Sequence, residues 1–265
     1  MNHLLRSNAP ISDAGWQLLD DEARQRLSPA LAARKLVDFS GPHGWEYSAT
    51  KLGRTEELGS APAEGVSGLR RRVLPLVELR ADFELSRDEL RDADRGADDT
   101  DLEPLDHAAH QIAVAENTAV FHGWDDAITG IAEASLHPQE PLGDAPSAYP
   151  QKIAGAVRQL LASGVGGPYG LALGGDHYQQ VLETTERGDL LLEHLHKILE
   201  GPIVWAPGVN GAVVVSLRGG DFLFESGQDI SIGYDSHDND VVRLYLQESF
   251  SFRVATPEAA VALTP

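Results

Sequence analysis

The sequence predicts an α+β protein, with helices and strands in separate blocks rather than in strict alternation. Three segments carry that reading. Residues 77–86, VELRADFELS, alternate apolar and polar side chains with period two, as a strand buried on one face does. In residues 101–122, Leu105, Ala109, Ile112 and Ala119 form one helical stripe. In residues 242–254, Leu244, Leu246, Phe250, Phe252 and Val254 again share one face of a strand. Each of the last two stripes contains a carboxylate. Glu116 falls on the helix stripe, and Glu248 breaks the strand face and would need a partner.

The other elements follow in chain order. Trp16, Leu19, Ala23 and Leu27 recur at helical spacing, with Ser12 or Asp13 able to cap the helix start. ALAARKLVDF at 30–39 is a basic and apolar segment, and GPHGWEY at 41–47 is a turn cluster. WEYSATKLGRTEEL and SGLRRRVLPLV read as two strands joined by the polar linker GSAPAEG. That hairpin is long, charged and poor in apolar alternation, so it is expected to lean on something outside its own domain. Asp88 to Gly96 is a short acidic helix or turn, and 123–147 is loop-like, with Pro138, Pro141 and Pro146. A new block then opens with a helix marked by Ile153, Val157, Leu160 and Leu161, and GVGGPYGLALGG gives a turn and a short strand. DHYQQVLETT and LLLEHLHKIL read as helices around the polar loop ERGD, IVWAP and GAVVVSL as strands, and strands continue to near the chain's end.

Composition narrows the function classes. The 265 residues suffice for one large domain or two modest ones, and 42% hydrophobic with 23% charged residues is ordinary for a soluble globular protein. With no cysteine there is no disulfide framework and no thiolate metal site. MNHLLRSNAPIS lacks the apolar core, roughly 7–15 residues, of a signal peptide, and no run approaches the roughly 18 apolar residues of a membrane span. A soluble, cytoplasmic protein is expected, without a membrane partner. The formal charge of −20 argues against nucleic acid as a main partner, although Arg70, Arg71 and Arg72 form one basic run.

The motifs of catalysis are missing. His107 and His110 lie three apart on one helix, His194 and His196 lie close on another, and Asp106 or Glu193 could add a carboxylate, but neither pair forms HExxH or has a third ligand at characteristic spacing. There is no GxSxG elbow, GVGGPYG lacks the GxxxxGK[ST] of a P-loop, and LALGGDHY lacks GxGxxG. Paired acids such as Asp98 and Asp99, or Asp125 and Asp126, are ordinary on solvated surfaces. Neither a catalytic residue, nor a metal, nor a cofactor is expected.

RGGDF at 218–222 followed by GQDISIGY at 227–234 resembles the encapsulin shell proteins, the linocin-like family. Further matches fall in family order: NAPIS at 8–12, Trp16, ARKLVDF at 33–39, GPHGWEY at 41–47 and LPLVELRADFELSRDEL at 74–90. DADRG at 92–96, AEN with VFHGW in 115–124, GPYGLAL at 167–173, WAP at 205–207 and VRLYLQESFSF at 242–252 complete them. The resemblance runs from about residue 4 to 258. It implies the HK97-like fold of tailed-phage major capsid proteins, with a peripheral domain, an axial domain and an extended loop. Residues 1–44 would then be the N-terminal arm and helix on the lumen side of the peripheral domain, and 45–76 the extended loop. Residues 77–130 would carry the spine helix, 131–219 the axial domain and 220–265 the returning peripheral strands. Gly219 and Gly220 would form the turn between the two domains, and Gly227 and Gly233 would let strands bend and approach other backbone closely.

The implied function is a self-assembling icosahedral shell that packages cargo enzymes, such as a dye-decolourising peroxidase or a ferritin-like protein, through their C-terminal peptide. Leu27, Leu31, Arg34, Asp38, Asp229, Ile230 and Ile232 are the residues the resemblance implies for that peptide, a mixture of apolar pockets and orienting charges. Leu27, Ile230 and Ile232 could equally be plain core. The five-fold opening would be lined by Glu186, Arg187, Gly188 and Asp189, beside Leu190 and Leu191 where the family usually has a tyrosine-proline or similar pair. A bacteriocin-like or peptidase-type protein is the alternative that the linocin label suggests, without a nucleophile or metal motif to support it.

Overall fold

A fourteen-residue strand near the C-terminus organises half of the molecule. The computed structural model describes residues 3–186 and 189–265. In chain order the elements are α1 (Asp13–Ala30), β1 (Asp38–Ser40), β2 (Ala49–Leu58), β3 (Gly68–Pro75), β4 (Val77–Ser86), α2 (Arg87–Asp94), α3 (Glu103–Phe121), α4 (Ile131–Ala134) and β5 (Glu140–Pro141). There follow α5 (Tyr149–Ala162), β6 (Tyr169–Leu173), α6 (Gly175–Glu183), β7 (Thr185–Glu186), β8 (Asp189–Leu190), α7 (Leu191–Leu199), β9 (Ile203–Trp205), β10 (Ala212–Ser216), β11 (Phe222–Ser226), β12 (Ser231–His237), β13 (Val241–Val254) and β14 (Ala260–Thr264).

The long strand β13 is the centre of the first sheet. Along one edge β4 pairs with it from Ser86↔Val241 to Val77↔Phe250. Along the other edge two short strands share it, β12 against 242–247 and β11 against 250–254. The predicted alternation of β4 is seen in its burial, with Phe83 and Leu85 buried and their neighbours exposed. Helices α1 and α3 cover this sheet, and Trp16, Leu19, Leu27, Leu105, Ile112, Phe83, Leu244 and Leu246 form one core between them. Ser12 caps α1 by accepting from Gly15 N at 2.9 Å.

The second sheet has the order β5-β14-β10-β6-β9. Its strands β6 and β10 are buried at every residue, which is why they read as continuous apolar runs instead of alternating ones. The last strand differs from the expectation for 220–265: β14 pairs with β10, from Ala212↔Leu263 to Val215↔Ala260, and so joins the sheet of the 131–219 segment. AVAL is apolar on both faces and fits only where both faces are covered.

The β2–β3 hairpin projects with little packing of its own, as expected. Beyond its base its residues are exposed, including Leu58 (40%), Val66 (60%) and Leu69 (60%). The glycine-rich stretch is architectural. Gly219 and Gly220 have φ of +85° and +83° and turn the chain from β10 into β11. Gly233 lies against a side chain rather than backbone, since a Cβ there would come within 2.1 Å of the Tyr245 ring. Among the described residues, no helix is long and apolar enough to cross a membrane.

Candidate functional site

The strand facing β13 is broken in its middle. Between the end of β11 and the start of β12 the chain bulges through Gly227–Ile230, held to β13 at Ser249: Gly227 N donates to Ser249 O (2.8 Å), Ser249 N to Gln228 O (3.0 Å) and Gln228 N to Ser249 Oγ (2.9 Å). Gly227 is required there, because a Cβ would meet Leu76 Cδ2 at 2.5 Å and Ser249 Oγ at 2.6 Å. Beside the break, Glu248 on β13 is fully buried.

Helix α1 ends facing this break. After Ala30 the chain turns sharply around Asn117 of α3. The Asn117 side-chain oxygen accepts from Ala32 N and Ala33 N, both at 3.0 Å, and its amide donates to Ala30 O (2.8 Å) and Pro207 O (3.0 Å). All four hydrogen bonds that this side chain can make are formed. The turn places Arg34 next, at the break.

Arg34 holds three carboxylates from three elements. Its Nε donates to Glu116 Oε2 (2.7 Å), its Nη2 to Glu248 Oε2 (2.8 Å) and its Nη1 to Asp229 Oδ1 (2.5 Å). Its guanidinium also lies 5.1 Å from the Phe39 ring centre and 5.6 Å from that of Phe224. Glu116 and Glu248 are buried completely, while Asp229 is 46% exposed at the rim. Burial lifts both glutamates above the ordinary carboxylate range, and for Glu248 the neighbouring Glu116 adds to it, with Arg34 opposing in both cases. Burial works against the Arg34 charge too, but Glu116 and Glu248 outweigh it and hold Arg34 above its usual range.

Above this cluster lies a groove of about 380 Å³ between α1 and the broken strand. Of the seven residues expected to act together, six line it: Leu27, Leu31, Arg34, Asp229, Ile230 and Ile232. Leu27 and Ile232 are 8% and 2% exposed and belong to the core that forms its walls; Ile230 and Leu31 are half-buried. Asp38 is elsewhere. Its carboxylate accepts from Gly220 N at 2.6 Å and fastens the β10–β11 turn, because β1 runs parallel to β11 and carries Asp38 to that turn. The groove also contains Leu4, Arg6, Ala23 and Leu246, which were not among the residues expected for the peptide. Leu4 and Arg6 belong to an arm with no periodic pattern, so nothing in the sequence ties them to the groove. Glu116 and Glu248 were visible as polar interruptions of apolar stripes; their shared partner was not.

Of the residues expected at the five-fold opening, Glu186 and Asp189 pair as the ends of β7 and β8, while Arg187 and Gly188 lie outside the described residues. His110 stacks on Trp205 with ring centres 6.4 Å apart, and among the described residues no group of three His, Asp or Glu side chains is placed to hold a metal ion.

Known proteins match this chain over nearly its whole length. A sequence model of the family described as encapsulating protein for peroxidase matches residues 1–251. The type 1 encapsulin shell protein of Rhodospirillum rubrum is 48% identical over 270 aligned residues, covering 99% of this chain and 96% of the relative. That of Mycobacterium tuberculosis is 42% identical, covering 100% of both chains. Among solved structures, the virus-like particle from Pyrococcus furiosus superposes with a TM-score of 0.66 at 19% identity, covering 94% of this chain and 97% of that one. The capsid of the Myoviridae phage XM1 gives 0.54 at 13% identity, covering 88% and 90%. At such identities the structural likeness speaks for the fold alone.

Proposed function

The chain belongs to the encapsulin shell protein family, and from that premise we propose that the groove between α1 and the broken strand is where a cargo protein docks by its C-terminal peptide. The protein is a self-assembling shell component with the HK97-like capsid fold, structural rather than catalytic. One observation carries the docking proposal. Six residues drawn from α1, the turn after it, the Gly227–Ile230 bulge and β12 converge on one groove with apolar walls and a charged end. A short apolar peptide finds there a place for its side chains and, in Arg34 and Asp229, groups that fix its direction. The groove would face the lumen of a cytoplasmic particle, and a peroxidase is the first cargo to try, since the family is described by one. The hairpin β2–β3 would be the extended loop, and its exposed Leu58, Val66 and Leu69 would be covered by a neighbouring subunit.

The test is loading of a reporter that ends in the tail of a co-encoded cargo protein. Ile230→Asp places a carboxylate beside Asp229 in the apolar wall, and Leu31→Ser removes apolar area more gently. Both variants are expected to form shells of normal size that capture little or no reporter, Ile230→Asp the more severely. Normal loading in both variants places the port elsewhere. Failure of both to assemble makes these residues plain core.

A further inference from the structure

Three side chains near the C-terminal end of α3 fasten the loop 206–211 that joins β9 to β10. Asn117 Nδ2 donates to Pro207 O (3.0 Å) and Thr118 Oγ1 to Gly208 O (3.3 Å). The loop lies close against the helix there, since a Cβ on Gly208 would meet Thr118 Oγ1 at 2.6 Å and Val114 O at 2.8 Å. The third tie runs the other way: Asn210 N donates to His122 Nε2 at 3.0 Å. Backbone bonds hold the far side of the loop to the second sheet, Ala206 N to Leu173 O (2.8 Å) and Gly174 N to Gly211 O (3.0 Å). The loop thus joins the second sheet to α3, which covers the first.

A backbone N–H can only donate, so the His122 nitrogen that faces it carries no proton. In the imidazolium form both ring nitrogens are donors, and the contact with Asn210 would set hydrogen against hydrogen. Protonation of His122 therefore breaks this bond. Other histidines are placed differently. His196 Nδ1 and His137 Nε2 face the carbonyl oxygens of Gly201 (3.1 Å) and Glu258 (3.0 Å), so each ring donates there and can take a proton on its other nitrogen. His177 Nδ1 faces the Tyr149 hydroxyl, whose hydrogen goes to Gln180 Oε1, so that ring donates as well.

The surroundings of His122 set the range in which it titrates. The ring is half-buried, and burial lowers its pKa below the ordinary 6.5. Its place just beyond the last turn of α3 favours a cation. The charged groups of the neighbouring elements are Glu133 on α4, Asp125 and Asp126 in the loop after α3, and Arg72 and Arg253 across the groove that these acids line. Glu133 Oε2 stands 2.6 Å from where a Cβ on Gly123 would lie. Among the described residues, none of the five is hydrogen bonded or ion paired to the ring. The 206–211 loop has no charged side chain.

We propose that His122 is an acid-released latch, which as the neutral ring holds the 206–211 loop to the end of α3 and on protonation lets Asn210 go. The ties from Asn117 and Thr118 do not titrate, so the release is partial: the Asn210 end of the loop leaves while Pro207 and Gly208 stay on the helix. The subunit thereby has a joint between its two sheets that loosens in acid. The unfolded chain takes up this proton more readily than the folded one. The stability that His122 contributes is therefore complete above about pH 6.5 and is lost as the pH falls toward the folded value. That sign is opposite to the one expected for buried Glu248, whose pKa is raised.

The experiment is hydrogen–deuterium exchange of assembled shells, resolved to single amides by mass spectrometry, in steps from about pH 7.5 to about pH 4.5. Each rate is divided by that of an unstructured peptide of the same sequence at the same pH. In wild-type shells the protection of the Asn210 amide should fall about fivefold or more on acidification, while that of Leu171 in β6 changes less than about twofold. His122→Gln offers a side-chain oxygen that accepts without titrating, and its protection at Asn210 should change less than about twofold over the same range. Thr118→Val removes a tie that does not titrate, and should keep the fivefold response. Equal protection of Asn210 at every pH in wild-type shells, or the same fall in His122→Gln, overturns the latch. Should His122→Gln fail to assemble, the midpoint of the wild-type fall decides. A midpoint between about pH 5 and about pH 6.5 supports the latch, and one below about pH 5, in the carboxylate range, overturns it.

Discussion

Arg34 donates to the Glu248 carboxylate across 2.8 Å, although 214 positions separate them in the chain. The same guanidinium holds Glu116, so one cation serves two fully buried carboxylates. Two like charges so placed cannot both be ionised at low cost, so burial and their mutual repulsion raise the proton affinity of the pair.

Stability should therefore depend on pH through Glu248. Burial and then Glu116 push its carboxyl well above its ordinary value of 4.5. A group with a higher pKa in the folded than in the unfolded state contributes stability that is complete below the unfolded value and lost as pH rises through the folded one. In Glu248→Gln the amide can still donate to Glu116 but does not titrate. Raising the pH from 5 to 9 should lower the melting temperature of wild-type shells relative to this variant by several degrees, since each tenfold difference in proton affinity between folded and unfolded chain is worth about 1.4 kcal/mol. Parallel melting curves at every pH would remove the shared proton from the account.

Removing the cation should be worse than removing either acid. Arg34→Met leaves two buried carboxylates without a counter-charge, a loss of about 3–5 kcal/mol at neutral pH. The loss should shrink toward pH 5, where both groups can be protonated. Denaturant midpoints at pH 5 and pH 8 test this; a loss of equal size at both values would mean that Arg34 acts by packing over Phe39 and Phe224.

The hairpin should matter for assembly and not for folding. Its strands pair with each other along eight positions and are exposed beyond their base. Replacing residues 53–71 by a two-glycine turn should leave near-ultraviolet circular dichroism unchanged while light scattering shows no closed particles. Normal particles from this variant would show that the exposed leucines and valines of the hairpin have no subunit partner.

Gly233→Ala should destabilise by about 1–3 kcal/mol. Its Cβ would overlap the Tyr245 ring, which is 6% exposed and lies under the Arg80 guanidinium at 3.8 Å from the ring centre. Combining it with Tyr245→Leu should recover most of the loss in thermal melts. A loss that persists in the double variant would place its origin in the backbone.

Local pattern was sufficient for the elements of this protein. The period of two in 77–86 and the helical stripe in 101–122 placed β4 and α3 to within two residues, because each repeat reflects one buried face. The resemblance of ordered motifs such as GPHGWEY and GQDISIGY identified the family and so the fold. Pairing was beyond reach of local pattern. AVALT looked like another returning strand, yet β14 pairs along the edge of β10 in the second sheet, where its own apolar side chains are buried. Glu116 and Glu248 were legible as anomalies on apolar stripes, but only the close approach of α3, β13 and the turn after α1 gave them Arg34 in common. Asp38 was expected with the groove residues and lies at the Gly220 turn, since the parallel pairing of β1 with β11, and not sequence distance from Arg34, decides where its side chain reaches. Side-chain periodicity records which face of an element is buried; which elements meet, and which charges are thereby shared, is set by contacts between residues far apart in the chain.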